Sequence, residues 1–206
     1  MNFMDFKEAL KPFTVFSLQE IKKIDANFHR RRLNEWQDKG YIKKVIKGFY
    51  IFSDLKINEK ALGEIANRIY APSYVSFEMA LSYYSLIPES VYAITSAATR
   101  KTSRFSTPIG EFIYRTIKPA LFFGYNLVAY NDDKIFKIAS PEKAILDYFY
   151  INPHIQTGDD FLSLRLNVDL FWKIINESQL GNYLEKFGQL ALSQRVHRLM
   201  EFMKNA

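Results

Sequence analysis

Stop and start signals in the first quarter of the chain constrain its fold more than any other feature. Pro12 closes a short helical pattern over residues 5–11. Residues 13–16 are β-branched and aromatic, and read as extended. Ser17 is followed three residues later by Glu20, the capping-box pair, which opens a helix over 18–24. Asp25 is the next cap residue, for a helix over 26–39 that Gly40 ends. Residues 41–46 and 49–52 are β-prone and flank Lys47-Gly48, a turn signal for a hairpin. No long element fits between these signals.

Helix, helix across a tight turn, then a hairpin is the order of a winged helix-turn-helix. In that group the second helix of the pair enters the major groove of DNA. The charge supports this reading. The chain of 206 residues carries a net +6, and its pI is near 9.3. Residues 13–50 hold nine Lys/Arg against four Asp/Glu, which accounts for +5 of that excess. A positive field confined to one small region is the footprint of a nucleic-acid-binding module. A lysine-rich solvated surface, or a winged helix used only for protein contacts, is the plainer alternative.

At about 100° per residue, Phe28, Trp36, Leu33 and Ala26 share one face of the helix over 26–39. His29 falls within that arc and reads as a core-edge residue. Asn27, Arg30, Arg31 and Asn34 lie opposite, and these residue types suit base edges and phosphates. Arg32 borders the apolar arc, from which its stem would run toward a phosphate. Lys43, Lys44 and Lys47 sit at or near the hairpin tip, placed for phosphate contacts that position without reading sequence.

Residues 54–58 read as a linker, dividing a domain over 1–55 from one over 58–206. The larger part mixes both periodicities. Helices are expected over 58–69, 77–85 and from Ser140-Pro141, with strands over 91–95, 111–117, 127–130 and 134–138. Pro108–Gly110 and Asn131-Asp132-Asp133 mark turns. Residues 161–205 read as helical, with breaks at Gly181 and Gly188. The class expected is α+β: a winged helix-turn-helix and a larger mixed α/β domain. Arg100, Lys101, Arg104 and Arg115 form a second, looser basic set. A solvated strand edge explains it most simply, while Arg100, Lys101 and Arg104 stand as further candidate DNA contacts.

Composition excludes several classes. Hydrophobic residues make up 48% and charged residues 24%, which is globular rather than disordered. The absence of cysteine removes disulfides, thiolate metal sites and a cysteine nucleophile. The charged start of the chain is unlike a signal peptide. The longest stretch free of charged residues and histidine, 119–131, is too short to span a bilayer. A cytoplasmic protein with no membrane partner is therefore expected.

No two glycines lie closer than seven residues, so no GxGxxG, Walker loop or GxSxG elbow exists. Acid-x-Lys pairs recur at four scattered places and discriminate nothing. Glu142 and Asp147 could hold a metal, but Glu142 is also a first-turn helix acid, and the structural role explains it better. Catalysis, cofactor and metal are all expected to be absent. A nuclease targeted by the winged helix is the enzyme alternative.

Four segments, RRRLNEWQDKGYIKKVIKGFY, PSYVSFEMALSYYSLIPE, TRKTSRFSTPIGEFIYRTI and IASPEKAILD, fall in order over residues 13–150. Together they resemble the AbiEi family of antitoxins and transcriptional regulators from type IV toxin–antitoxin (abortive infection) systems. Ser85 stands where the resemblance expects glycine, and beyond residue 150 only helical character matches. The resemblance implies a winged helix followed by an antitoxin domain, and repression of the protein's own operon at inverted repeats in double-stranded promoter DNA. It also implies a nucleotidyltransferase-like toxin neutralised without a stable protein–protein complex. A stand-alone winged-helix transcription factor, its larger domain sensing a ligand or partner, is the alternative.

Overall fold

Hydrogen-bonding side chains set many of the element ends. In the computed structural model, which describes residues 1–89, 91–131 and 133–205, the Asn2 side chain accepts the Asp5 N–H at 2.9 Å and opens α1 (Phe3–Leu10). After β1 (Phe16–Ser17), the Ser17 backbone N–H and hydroxyl both donate to the Glu20 carboxylate, opening α2 (Leu18–Ile24). Then follow α3 (Arg31–Asp38), β2 (Ile42–Ile46) and β3 (Phe49–Phe52). The three strands form an antiparallel sheet in the order β1-β3-β2.

One expectation fails here. The helix expected over 26–39 begins only at Arg31. The Asp25 carboxylate accepts the N–H of Asn27, two residues on, at 3.1 Å. Its carbonyl accepts the Phe28 N–H, also at 3.1 Å. That is an Asx-type turn instead of a cap. Phe28 is buried and pins the turn to the core. The helical phases assigned to residues 26–30 therefore do not apply, and Ala26 and His29, expected on the buried arc, are exposed.

The N-terminal elements have an aromatic core of their own. Phe6 lies 4.4 Å from Trp36 between ring centroids, and Phe16 lies 4.9 Å from Phe52. Val15, Val45 and Ile51 instead join the larger core of the rest of the chain.

That rest comprises α4 (Glu59–Ile69), β4 (Ser73–Val75), α5 (Phe77–Tyr83), β5 (Ala93–Ala98), β6 (Ser103–Thr107) and β7 (Gly110–Thr116). A 3-10 turn over Pro119–Leu121 leads to β8 (Tyr125–Tyr130), β9 (Lys134–Ala139) and α6 (Pro141–Ile151). The chain ends in α7 (Gly158–Ser163), α8 (Val168–Ile174), α9 (Glu177–Phe187) and α10 (Leu190–Asn205). The second sheet has the order β6-β7-β5-β4-β9-β8. Its β4–β9 and β5–β7 pairs are parallel and the others antiparallel. Among the described residues the fold is thus mixed α+β, with ten α-helices and two sheets.

The α6 helix begins at the expected Ser140-Pro141, with the Ser140 hydroxyl accepting the Lys143 N–H at 3.3 Å. Three details differ from expectation. The strand expected over 91–95 is β5, displaced to Ala93–Ala98 by pairing with β4 and β7. Gly181 lies inside α9, where a side chain would meet open space, and only Gly188 (φ 60°) ends that helix. Helix α5 stops at Tyr83, and Ser85 follows in the left-handed region (φ 56°). In the expected loop 131–133, Asp132 lies outside the described residues.

Two buried polar groups organise the interior. At the seam between the N-terminal elements and the rest, the Thr14 hydroxyl donates to Glu64 at 2.6 Å and the Tyr130 hydroxyl donates to the same oxygen at 2.5 Å. Beside them Arg68 reaches Glu20 at 2.6 Å and stacks over Phe13. Burial opposes ionisation of Glu20, but the Ser17 hydrogen bonds and the Arg68 guanidinium together outweigh it and hold the carboxyl below its ordinary value. Leu55 and Ile57, in the expected linker, pack on the larger core. The second group lies under α6. Lys143 donates to Asp147 and, at 2.9 Å, to the Tyr74 hydroxyl; Tyr74 and Ser76 each donate to Asp147 at 2.8 Å.

Candidate nucleic-acid interface

Helix α3 buries Leu33 and Trp36 and exposes Arg31, Asn34 and Glu35. Its apolar positions recur every three residues, so the polar ones necessarily face away from the core. Arg31 lies in the first turn, within 3.6 Å of Glu35, and both side chains are open to solvent. A pair of that kind is worth about 0.3–0.5 kcal/mol and yields readily to a stronger anion. Asn27 and Arg30 are exposed as expected, but they stand on the turn that leads into α3, Arg30 at its N-cap position. The polar face is therefore shared between a turn and a two-turn helix.

Arg32 is engaged elsewhere. Its guanidinium donates to the Met1 carbonyl and sits 5.6 Å from the centroid of the Trp36 ring. It clamps the chain start to the aromatic core, and its hydrogen-bonding capacity is partly spent.

The hairpin presents its lysines openly. Strand β2 packs beside α3. Its ladder with β3 slips between Lys44 and Ile46, so the side-chain alternation breaks there. Lys43 and Lys44 are consequently both exposed, while Val45 turns into the larger core. Lys47 is exposed at the turn, next to Gly48, whose φ of 91° is the conformation such a turn demands. Among the described residues Arg30, Lys43, Lys44 and Lys47 form no ion pair, which leaves their charges uncompensated at short range.

The second basic set is spread over β6, β7 and the loop between β5 and β6. Arg100 stacks 4.2 Å from the Tyr70 ring centroid, and its guanidinium donates to the Ala71 carbonyl at 3.4 Å. The Lys101 backbone carbonyl accepts the Tyr70 hydroxyl at 2.7 Å, and its side chain is exposed. Arg104 grips Glu111 through two hydrogen bonds, at 2.5 and 2.8 Å, across the β6–β7 pair. Arg115 is half-buried beside Glu78 at 3.8 Å. Of these, Lys101 alone has a side chain with no hydrogen bond or ion pair among the described residues. The strand carrying Arg104 touches β2, so both basic sets adjoin one another along that contact.

Lys22 and Lys23 close the last turn of α2 and are exposed just before the turn into α3. In the sequence they add to the basic excess of residues 13–50 without a pattern that assigns them a role. Their position at the end of a helix that leads into the polar face is the signal that singles them out.

Glu142 and Asp147, weighed as a metal pair, serve separate structural ends. Glu142 accepts the Ser140 hydroxyl at 2.8 Å and the Asn176 N–H at 2.9 Å, whereas Asp147 belongs to the Lys143 cluster. No described helix is long and apolar enough to cross a membrane. A scan against protein-family models and a search of curated proteins each find no match to this chain.

Proposed function

We propose that this chain is a sequence-reading DNA-binding repressor, its first 55 residues a winged helix-turn-helix, and that it acts as the antitoxin of a type IV toxin–antitoxin system. The observation that carries the DNA-binding part is one exposed surface. It joins the polar side of α3, the turn before it and the lysine hairpin, within residues 13–50, which hold +5 of the +6 net charge. The element order α1-β1-α2-α3-β2-β3 and the sheet order β1-β3-β2 suit a winged helix, with the β2–β3 hairpin as its wing. The antitoxin role rests on the AbiEi resemblance, as do autoregulation at inverted repeats and a nucleotidyltransferase-like toxin countered without a stable complex.

In this reading α3 enters the major groove by its N-terminal half. Arg31 releases Glu35 and reads a guanine edge, and Asn34 reads adenine. Asn27 and Arg30 contact the backbone at the groove entrance, with Lys22 and Lys23 behind them. Lys43, Lys44 and Lys47 hold the flanking phosphates. Lys101 extends the track, while Arg32, Arg100 and Arg104 contribute less because their guanidinium groups are already engaged.

Two substitutions separate reading from holding. Arg31→Ala is expected to cost about 1–3 kcal/mol on the specific site and to relax specificity there. Lys44→Ala is expected to weaken all DNA alike and lower the salt slope by about one unit. Equal losses on specific and random DNA for both variants contradict base reading by α3. Co-expression with a toxin encoded beside this gene tests the antitoxin part, which fails if growth is not restored.

A further inference from the structure

The chain's longest stretch without a charged residue or histidine, 119–131, contains the whole of β8, and β8 is an edge of the six-stranded sheet. Edge strands expose a row of unpaired N–H and C=O groups, and proteins ordinarily blunt them with charge, proline, a bulge or a covering element. Among the described residues none of these protects β8. Its sequence YNLVAY has no charge and no proline, and its register with β9 runs unbroken from Tyr125↔Ala139 to Tyr130↔Lys134. Among the described residues its backbone makes no hydrogen bond outside that ladder. The opposite edge, β6, is treated differently: it carries Arg104 and lies against β2.

The exposed face beside this edge carries three apolar side chains next to Lys137. The register sets Ala129 opposite Ile135 and Leu127 opposite Lys137, which places Leu127, Ala129 and Ile135 on one face. Leu127 is 60% exposed and Ile135 49%. We infer that β8 is a self-association edge, on which a second copy of this chain pairs β8 to β8, antiparallel, and extends the sheet to twice its width.

A second copy is the occupant that the strand's chemistry favours. An antiparallel edge is self-complementary about a twofold axis, so one sequence supplies both donors and acceptors. An uncharged strand meets its own copy without like-charge repulsion, whereas the basic character of the chain elsewhere disfavours contact between copies. A twofold axis normal to the sheet keeps each face continuous, so the residues set opposite one another have the same parity. The register centred on Leu127 lays it against the partner's Leu127 and Tyr125 against the partner's Ala129. This covers Leu127, the large exposed apolar side chain of the strand.

The test is light scattering on the full chain over a concentration series up to about 100 μM, a range that detects weak dimers. The result expected is a concentration-dependent shift from the 24.2 kDa chain mass to twice that value, and no further growth. Leu127→Lys is expected to weaken the dimer about tenfold or more. Leu190→Lys, on a side chain 75% exposed on α10, is expected to leave it unchanged. The chain has no cysteine, so Leu127→Cys gives an independent readout. Opposed strand residues lie about 4.5–5.5 Å apart between Cα atoms, within disulfide reach. Mild oxidation should therefore yield a covalent dimer even if the lysine variant fails to fold. A monomer at every concentration overturns the inference. So does a dimer indifferent to Leu127→Lys and uncrosslinked by Leu127→Cys, or open-ended growth.

Discussion

Ser85 carries a cost that its neighbours impose. The Leu86 N–H bonds to the Leu81 carbonyl at 2.9 Å and the Ser85 N–H to the Ser82 carbonyl at 2.8 Å. This is the Schellman pattern, which requires a left-handed residue at position 85. A side chain there is strained, and glycine relieves the strain. Ser85→Gly is expected to stabilise the chain by about 0.5–1 kcal/mol, read as a higher urea midpoint at unchanged slope. No gain would mean the left-handed turn is not imposed. The Lys143–Asp147 pair is the opposite case, two charges with no exposure at all. Burial pushes the Asp147 carboxyl up and the Lys143 amine down, and their mutual attraction opposes both. Asp147→Asn strands the Lys143 ammonium and is expected to cost about 3–5 kcal/mol. Lys143→Met with Asp147→Leu is expected to cost less than either polar loss suggests, because no lone buried charge remains. Equilibrium unfolding of the three chains checks this, and a single variant as stable as wild type contradicts it.

At the level of elements, legibility follows locality. The ends of α2 and α6 are readable because Ser17, Glu20, Ser140 and Pro141 act within four residues of themselves. The start of α3 is not, because Asp25 can cap a helix or form a turn, and burial of Phe28 decides between them. Gly181 reads as a break, yet it sits in the middle of α9, where an added methyl group would meet nothing within 4 Å. Gly181→Ala is therefore expected to raise stability by about 0.5–1 kcal/mol, visible in thermal melts. A loss would mean α9 is interrupted there. Parallel pairing of β5 with β7 and the placement of β6 depend on contacts far apart in sequence, and no local pattern announces them. The candidate interface is legible in its residue types and its charge. What the sequence hides is which cations are free: the Arg104–Glu111 and Arg32–Met1 contacts join positions 7 and 31 residues apart.

For the whole molecule, the N-terminal module is not suspended on a loose tether. Val45, on the hairpin strand that bears Lys43 and Lys44, is buried in the larger core, and Thr14 bonds across the seam to Glu64, which Tyr130 holds from the other side. The larger part thus fixes how α3 and the hairpin are presented, and a change in it has a direct mechanical route to the basic surface. The basic surface is proposed to read DNA. Its most direct test is fluorescence anisotropy of the full chain with DNA from upstream of its own gene, against unrelated DNA of equal length, at about 150 mM salt. A preference of about 10³-fold or more, reduced by Arg31→Ala and kept by Lys44→Ala, is the result predicted. Equal, salt-sensitive binding to both DNAs contradicts it and reduces the surface to a phosphate binder.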